Sequence, residues 1–234
     1  MRFTVVTLFP ELFDGFVGTS IIKRAIEDGK ITVDFVNPRD FATDKHKTVD
    51  DTPYGGGQGM LMKIDPVVGA LRSVNATRAD DPNREGERPA GQRSILMGAR
   101  GRRFNQQVAQ ELADSEEHLV FVCGRYEGID ERVLEYVDEE ISLGDFVLTG
   151  GELAAATMID AVARLLPSVL GHDLSAVEES HSTPGILEHG HYTRPVEFEG
   201  HSVPEVLMSG NHPEIAKWRE EQSKERSKKT DTSN

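Results

Sequence analysis

The sequence predicts a mostly parallel α/β sheet with helices on both faces, followed by a small, mainly helical C-terminal domain. Three observations carry that expectation. Short apolar runs alternate with amphipathic, helix-like segments over the first 166 positions, the pattern of strand–helix–strand units. Three glycine-rich turns follow such runs, where parallel sheets place their ligand sites. Beyond Pro167 the alternation gives way to Gly, Pro, His and Ser, and then to one long helical pattern.

Each element can be argued in order. "FTVVTLF" (3–9) alternates apolar and polar residues as a half-buried strand does, and "TSIIKRAIEDGK" (19–30) is an amphipathic helix with a Thr or Ser cap, stopped at Gly29. "ITVDFVN" (31–37) is a second strand, and "DPVVGALRSV" (65–74) opens a helix with Asp and Pro at cap and first-turn positions. Residues 75–93, "NATRADDPNREGERPAGQR", hold almost no large apolar side chain and are expected to form a mobile surface loop. The strands "SILM" (94–97), "HLVFVC" (118–123) and "EEISLG" (139–144) follow, with helices over 105–113 and near 129–137. A long helix then runs from Gly150 or Gly151 to Leu166, ended by Pro167. The domains expected are 1–166, a linker over 167–188, and a C-terminal domain over 189–234.

Composition excludes several classes. A net charge of −14 argues against a protein that simply coats nucleic acid, because neutralising phosphates supplies most non-specific affinity. Contact with RNA would rely on local patches, such as "ARGRR" (99–103) or the tail from Lys217 to Lys229; the plainer reading of that tail is a solvated helix. No apolar stretch approaches the roughly 18 residues of a membrane span. The start "MRFTVVTLFPELF" lacks a signal-peptide pattern, so a cytoplasmic protein is expected. A single Cys excludes an internal disulfide and a Cys-rich zinc site.

The glycine turns fit neither common nucleotide motif. The first strand leads into "TLFPELFDGF", without G-x-G-x-x-G, and the Gly29–Lys30 pair is followed by Ile31 rather than Ser or Thr. Cys123 ends an apolar strand and reads as a small core residue. The eight histidines offer no metal-ligand spacing, with His189 and His191 two positions apart. What remains is positive: "GRYEG" and "LGDFVLTGGE" let backbone approach a flat, polar ligand closely.

At "TVDDTPYGGGQGMLMK", "VCGRYEGIDERV", "SLGDFVLTGGELAA", "VLGH", "HYTRP" and "VPEVLMSGNH", in that order, the chain resembles the bacterial tRNA (guanine-N1)-methyltransferases of the SPOUT class. The resemblance covers essentially the whole chain. It implies a C-terminal trefoil knot in the sheet domain, S-adenosylmethionine as methyl donor with a Mg²⁺ ion as an additional cofactor, and tRNA as substrate. It also implies a homodimer with active sites at the subunit interface. Carried over by position, cofactor contacts fall on Gly124, Tyr126, Glu127, Gly128, Leu143, Gly144, Asp145, Phe146, Val147, Leu148 and Gly151. Arg164 matches an arginine that assists at the target base. The family's general base, an Asp directly before a Ser, is here Glu179, with Glu178 or Asp173 as alternatives. That departure gives a competing reading its foothold: a knotted protein that binds RNA without turnover, or that methylates another RNA.

Overall fold

The computed structural model describes residues 1–115, 117–171 and 179–231. Asp173 and Glu178 lie outside them. The chain divides into two units, Met1–Gly171 and His172–Asn234.

The first unit is built on five parallel strands: β1 (Arg2–Val6), β2 (Thr32–Val36), β5 (Gln92–Arg103), β6 (His118–Cys123) and β7 (Glu139–Ser142). They lie in the order β2-β1-β6-β5-β7. Two-residue strands β3 (Asp50–Asp51) and β4 (Leu61–Met62) pair separately. Every residue of β6 is buried, as expected of a central parallel strand covered on both faces.

Alternation along the strands divides the core. Phe3, Val5, Ile95, Leu119, Phe121 and Cys123 face one layer, which contains α1 (Asp14–Val17), α2 (Ser20–Glu27), α4 (Gln106–Ser115) and α5 (Glu152–Ala163). Val6, Leu96, Val120 and Val122 face the other, where Val67, Ala70 and Leu71 of α3 (Ile64–Ser73) pack with Val133 and Val137. Both faces of the sheet are therefore helix-covered, as the sequence predicts.

Two elements differ from expectation, and the expected loop forms over 75–91 with polar contacts of its own. The helix expected near 129–137 is a 3-10 turn over Glu131–Glu135, capped by the Asp130 carboxylate accepting from Arg132 N–H at 3.0 Å. The strand expected to stop at Met97 runs on to Arg103, after a register shift in which Ile141 partners both Met97 and Arg102. Segment 75–93 is tied down by polar contacts in place of apolar ones. Arg72 donates to both carboxylate oxygens of Asp81 (2.8 and 2.7 Å), whose side chain is 1% exposed. Arg84 donates to Thr77 C=O, and Arg88 pairs with Asp138.

The "ARGRR" patch is likewise neutralised. Arg100 pairs with Glu131 (2.8 Å), Arg102 with Glu111 (2.8 Å) and Glu139 (3.2 Å), and Arg103 with Asp145. Glu111, held between Arg102 and Arg93, has its carboxyl pulled down to about 2.

The second unit contains the hairpin β8 (Glu197–Phe198) and β9 (His201–Ser202), the short α6 (Glu205–Met208), and α7 (His212–Asp231). Trp218 on α7 packs against His189 and Tyr192, with ring centroids 6.3 and 6.2 Å away. No described helix is long and apolar enough to cross a membrane.

Candidate functional site

The carboxyl ends of β5, β6 and β7 open into a cleft of about 230 Å³. Its floor and walls come from three chain segments, and each has a physical reason to be there.

The first is the shift in β5. Gly98 and Gly101 cross directly over Glu140: a Cβ on Gly98 would stand 2.0 Å from its Oε1, and one on Gly101 2.2 Å from its carbonyl oxygen. Only glycine allows that crossing, which brings Met97, Gly98 and Ala99 into the wall.

The loop after β6 is the second. Gly124 leaves the strand, Tyr126 takes a left-handed φ of 61°, and Gly128 has φ 134°. The loop is braced from outside by the "GGGQG" turn. Glu127 N–H donates to Met60 C=O (3.0 Å) and Met62 N–H to Gly128 C=O (2.9 Å). Gly59 lies so close that a Cβ would meet Glu127 Cγ at 2.4 Å.

The third is the loop after β7 and the start of α5. Ser142 Oγ accepts from Gly144 N–H at 3.2 Å, and Leu143, Phe146, Val147 and Leu148 form an apolar wall. Gly151 N–H then donates to Gly124 C=O at 3.0 Å, joining the second and third segments. At Gly151 a Cβ would fall 2.8 Å from Cys123 Cα and 2.9 Å from Met97 Cβ. Backbone cannot yield there as a side-chain tip can.

One ionic contact underlies the cleft. The Arg125 guanidinium lies 3.0 Å from the Glu152 carboxylate, which is 2% exposed and also accepts from Thr7 Oγ1 at 2.8 Å. Arg125 further covers the Phe9 ring at 4.7 Å and donates to Thr149 C=O. Burial, reinforced by the Glu152 charge, pushes the Cys123 thiol up. A thiol so placed is no nucleophile.

Of the eleven positions carried over as cofactor contacts, ten line the cleft: Gly124, Tyr126, Glu127, Gly128, Leu143, Gly144, Phe146, Val147, Leu148 and Gly151. Asp145 does not. Its side chain is 90% exposed and paired with Arg103, which holds its carboxyl below the usual range. Met97, Ala99, Ile141, Thr149 and Ala154 also line the cleft, and position-by-position reading omitted them. No local pattern singles out Met97 and Ala99, because the crossing at Gly98 and Gly101 depends on Glu140 from another strand. Arg164 does not reach this cleft within one chain. It caps the far end of α5, ten residues beyond Ala154 and about 15 Å along the helix axis. Glu179 belongs to the second unit, where its C=O accepts from Ser182 N–H (3.1 Å) and Ser182 Oγ (2.7 Å).

A parallel α/β sheet with a glycine-lined cleft at its carboxyl edge has the architecture in which α/β proteins place small-molecule sites. The model of the tRNA (guanine-1)-methyltransferase TrmD family matches residues 1–233, and the chain belongs to that family. It is 54% identical over 226 residues to the tRNA (guanine-N(1)-)-methyltransferase of Geobacter sulfurreducens, covering 96% of this chain and 87% of that protein. It is 51% identical to the enzyme of that name from Carboxydothermus hydrogenoformans (95% and 83% covered) and 48% identical to that from Listeria monocytogenes (97% and 88%).

Proposed function

We propose that this chain transfers the methyl group of S-adenosylmethionine to N1 of the guanosine just 3′ of the anticodon, position 37, in tRNAs where a G precedes it. The modification supports reading-frame maintenance, and the enzyme works as a cytoplasmic homodimer. The observation that carries the reading is the cleft of Gly124, Gly128, Gly144 and Gly151 in a chain of this family.

The cleft fits the methyl donor. A Cβ at Gly151 would stand 2.8 Å from Cys123 Cα, so glycine there lets the start of α5 close against the end of β6 and form the cleft wall. Backbone groups of the three segments suit a purine edge, while Leu143, Phe146, Val147 and Leu148 supply apolar walls. Tyr126 and Glu127 form the rim. Bound S-adenosylmethionine supplies an electrophilic methyl group on a sulfonium; Glu127 is the one acidic side chain among the described lining residues. The knot is part of the proposal, supported by the contact of the crossing loops at Gly124 and Gly151.

The residues then have definable work. Guanine N1 carries a proton at neutral pH, so a carboxylate must accept it as the methyl moves, which is general-base catalysis worth roughly 10²–10⁴-fold. Glu179 takes that role. Negative charge then builds on O6, where the guanidinium of Arg164 stabilises it. Since Arg164 and the cleft are at opposite ends of α5, the arginine comes from a second copy. Exposed Phe146, Val147 and Leu153, in and beside the third segment, give that copy apolar surface to cover. For Mg²⁺ the described part of the cleft offers a single carboxylate, which is no cage for that ion, so no step is assigned to it. In the second unit Lys217 and Arg219 flank Trp218 as a tRNA contact.

Single-turnover transfer of labelled methyl to two tRNA transcripts tests the proposal, one with a GG step ending at the target and one with AG. Transfer to the first alone is expected. Cofactor binding without transfer to either would make Glu179 a disabling change and favour an RNA-binding protein.

A further inference from the structure

We propose that Glu188, His189 and His191 form a binding site for a divalent transition metal of the zinc type in the second unit. The spacing of the histidines gave no hint of it, because two residues apart is a poor ligand interval in regular structure. The turn that carries them changes this. One ligand atom from each of the three lies within 4.8 Å of the others, and His191 Nε2 already stands 2.9 Å from Glu188 Oε1.

The distances suit a metal. Zinc–nitrogen and zinc–oxygen bonds of about 2.0–2.2 Å set tetrahedral ligand atoms about 3.3 Å apart. The Glu188–His191 pair meets that now, and the third atom needs to close by no more than about 1.5 Å. Two imidazoles select zinc, cobalt or nickel over magnesium or calcium, which take oxygen ligands. Three protein ligands leave a fourth position to water.

The surroundings hold the ligands in place. Leu187 N–H donates to Ser227 Oγ (2.9 Å), and Ser223 Oγ donates to Leu187 C=O, both serines on α7. Glu188 N–H donates to Ser180 Oγ at 2.9 Å. Gly190 leaves room for the Arg226 guanidinium, a nitrogen of which would stand 2.6 Å from a Cβ placed there. His189 Nδ1 is 3.2 Å from Gly190 C=O. Donating its proton to that carbonyl leaves the Nε2 lone pair for a metal, the usual outer-shell arrangement of a ligating histidine. The His189 and His191 rings lie 4.6 Å apart, and Trp218 backs His189.

Trp218 is the chain's single tryptophan, which supplies a local readout. Paramagnetic Co²⁺ bound beside His189 quenches its fluorescence, and Zn²⁺ added afterwards relieves the quenching by competition. With the untagged full chain, saturable quenching by Co²⁺ is expected, with the midpoint raised at least tenfold in both Glu188→Gln and His189→Ala. Circular dichroism establishes that each variant is folded; should His189→Ala fail to fold, Glu188→Gln and His191→Gln carry the comparison. An unchanged midpoint in the folded variants, no saturable quenching in the parent chain, or equal quenching relief by Mg²⁺ would overturn the proposal.

Discussion

Arg125 and Glu152, 27 positions apart, meet at 3.0 Å beneath the cleft, joining the loop after β6 to the first turn of α5. The Glu152 carboxylate is nearly inaccessible, and its second anchor, Thr7, comes from the end of β1. Removing one member of such a pair leaves the other charge inside the protein, at a cost of about 3–5 kcal/mol. Glu152→Ala should lose stability on that scale in a denaturant titration and weaken S-adenosylmethionine binding as the two loops part. Glu152→Gln, which can still accept from Thr7, should cost less. Parental cofactor affinity in a folded Glu152→Ala protein would show that the pair does not shape the cleft.

A second prediction rests on Gly151. The added methyl of Gly151→Ala would enter space held by Cys123 Cα and Met97 Cβ, neither of which can rotate away. The start of α5 must then shift, at about 1–3 kcal/mol for an overpacked core, and the Gly151–Gly124 hydrogen bond opens. Calorimetry should find cofactor affinity lowered by tenfold or more. An unchanged affinity would mean the cleft is not the cofactor's site.

The acid response should be governed in part by His118. It is buried among Thr4 and Gln92, at 2.8 Å from the hydroxyl and 3.0 Å from the amide nitrogen. Burial is the main cause that lowers its pKa from 6.5 to about 4. The folded state thus favours the neutral ring, while the unfolded chain takes up a proton below about 6.5. This contribution is complete above that pH and is lost as pH falls towards 4, at most about 3 kcal/mol. His118→Gln should flatten the pH dependence of the melting temperature between 6.5 and 4; an equally steep profile would remove His118 as its source.

Segment 75–91 yields a fourth expectation, and here the sequence reading and the structure part. Deficiency in apolar side chains suggested a dispensable loop. Asp81 nonetheless receives two hydrogen bonds from Arg72, which hold its carboxyl well below the usual range. Charged hydrogen bonds of this kind are worth about 1.5–3 kcal/mol each. Asp81→Asn should lower stability by about 2 kcal/mol, and deletion of 75–91 should lower it further. A deletion variant melting with the parent would restore the view of the segment as an appendage.

These cases show what was legible in the residues. Strand alternation and glycine turns are local, so the sheet and its helix-covered faces could be read directly; the positions carried over from the family resemblance, ten of which line one cleft, came from motif matching and not from local pattern. Pairings between distant positions could not. The arginines of 99–103 look like a nucleic-acid patch until Glu111, Glu131, Glu139 and Asp145 arrive from other elements. Asp145 shares a contiguous motif with cleft residues, yet a loop side chain can point either way, and the cation of Arg103 draws it outward. Glu188, His189 and His191 converge through an irregular turn, which no helical or strand period describes.

The last prediction concerns the sharing of a site between two copies. Ala154 lines the cleft, whereas Arg164 lies ten residues further along the same rigid helix, about 15 Å away. Side-chain reach does not close that gap, so under the role proposed for Arg164 the arginine that serves a cleft belongs to another chain. Complementation follows from the twofold symmetry of the proposed homodimer. Arg164→Ala protein lacks the arginine in both sites, and Gly151→Ala protein, at a cofactor concentration too low to fill its weakened clefts, lacks the cofactor in both. Mixed after unfolding and refolded together, the two should form heterodimers in which one site combines an intact cleft with an intact arginine. With random pairing, about a quarter of parental activity should return, although either variant alone is inactive. Recovery of no activity from demonstrated heterodimers would mean that Arg164 serves its own chain, whereas an active Arg164→Ala protein would mean that it has no part in the reaction. The first outcome would overturn the sharing of the site and the second the assignment of O6 stabilisation to this residue, while the cleft assignment would stand on the Gly151→Ala result.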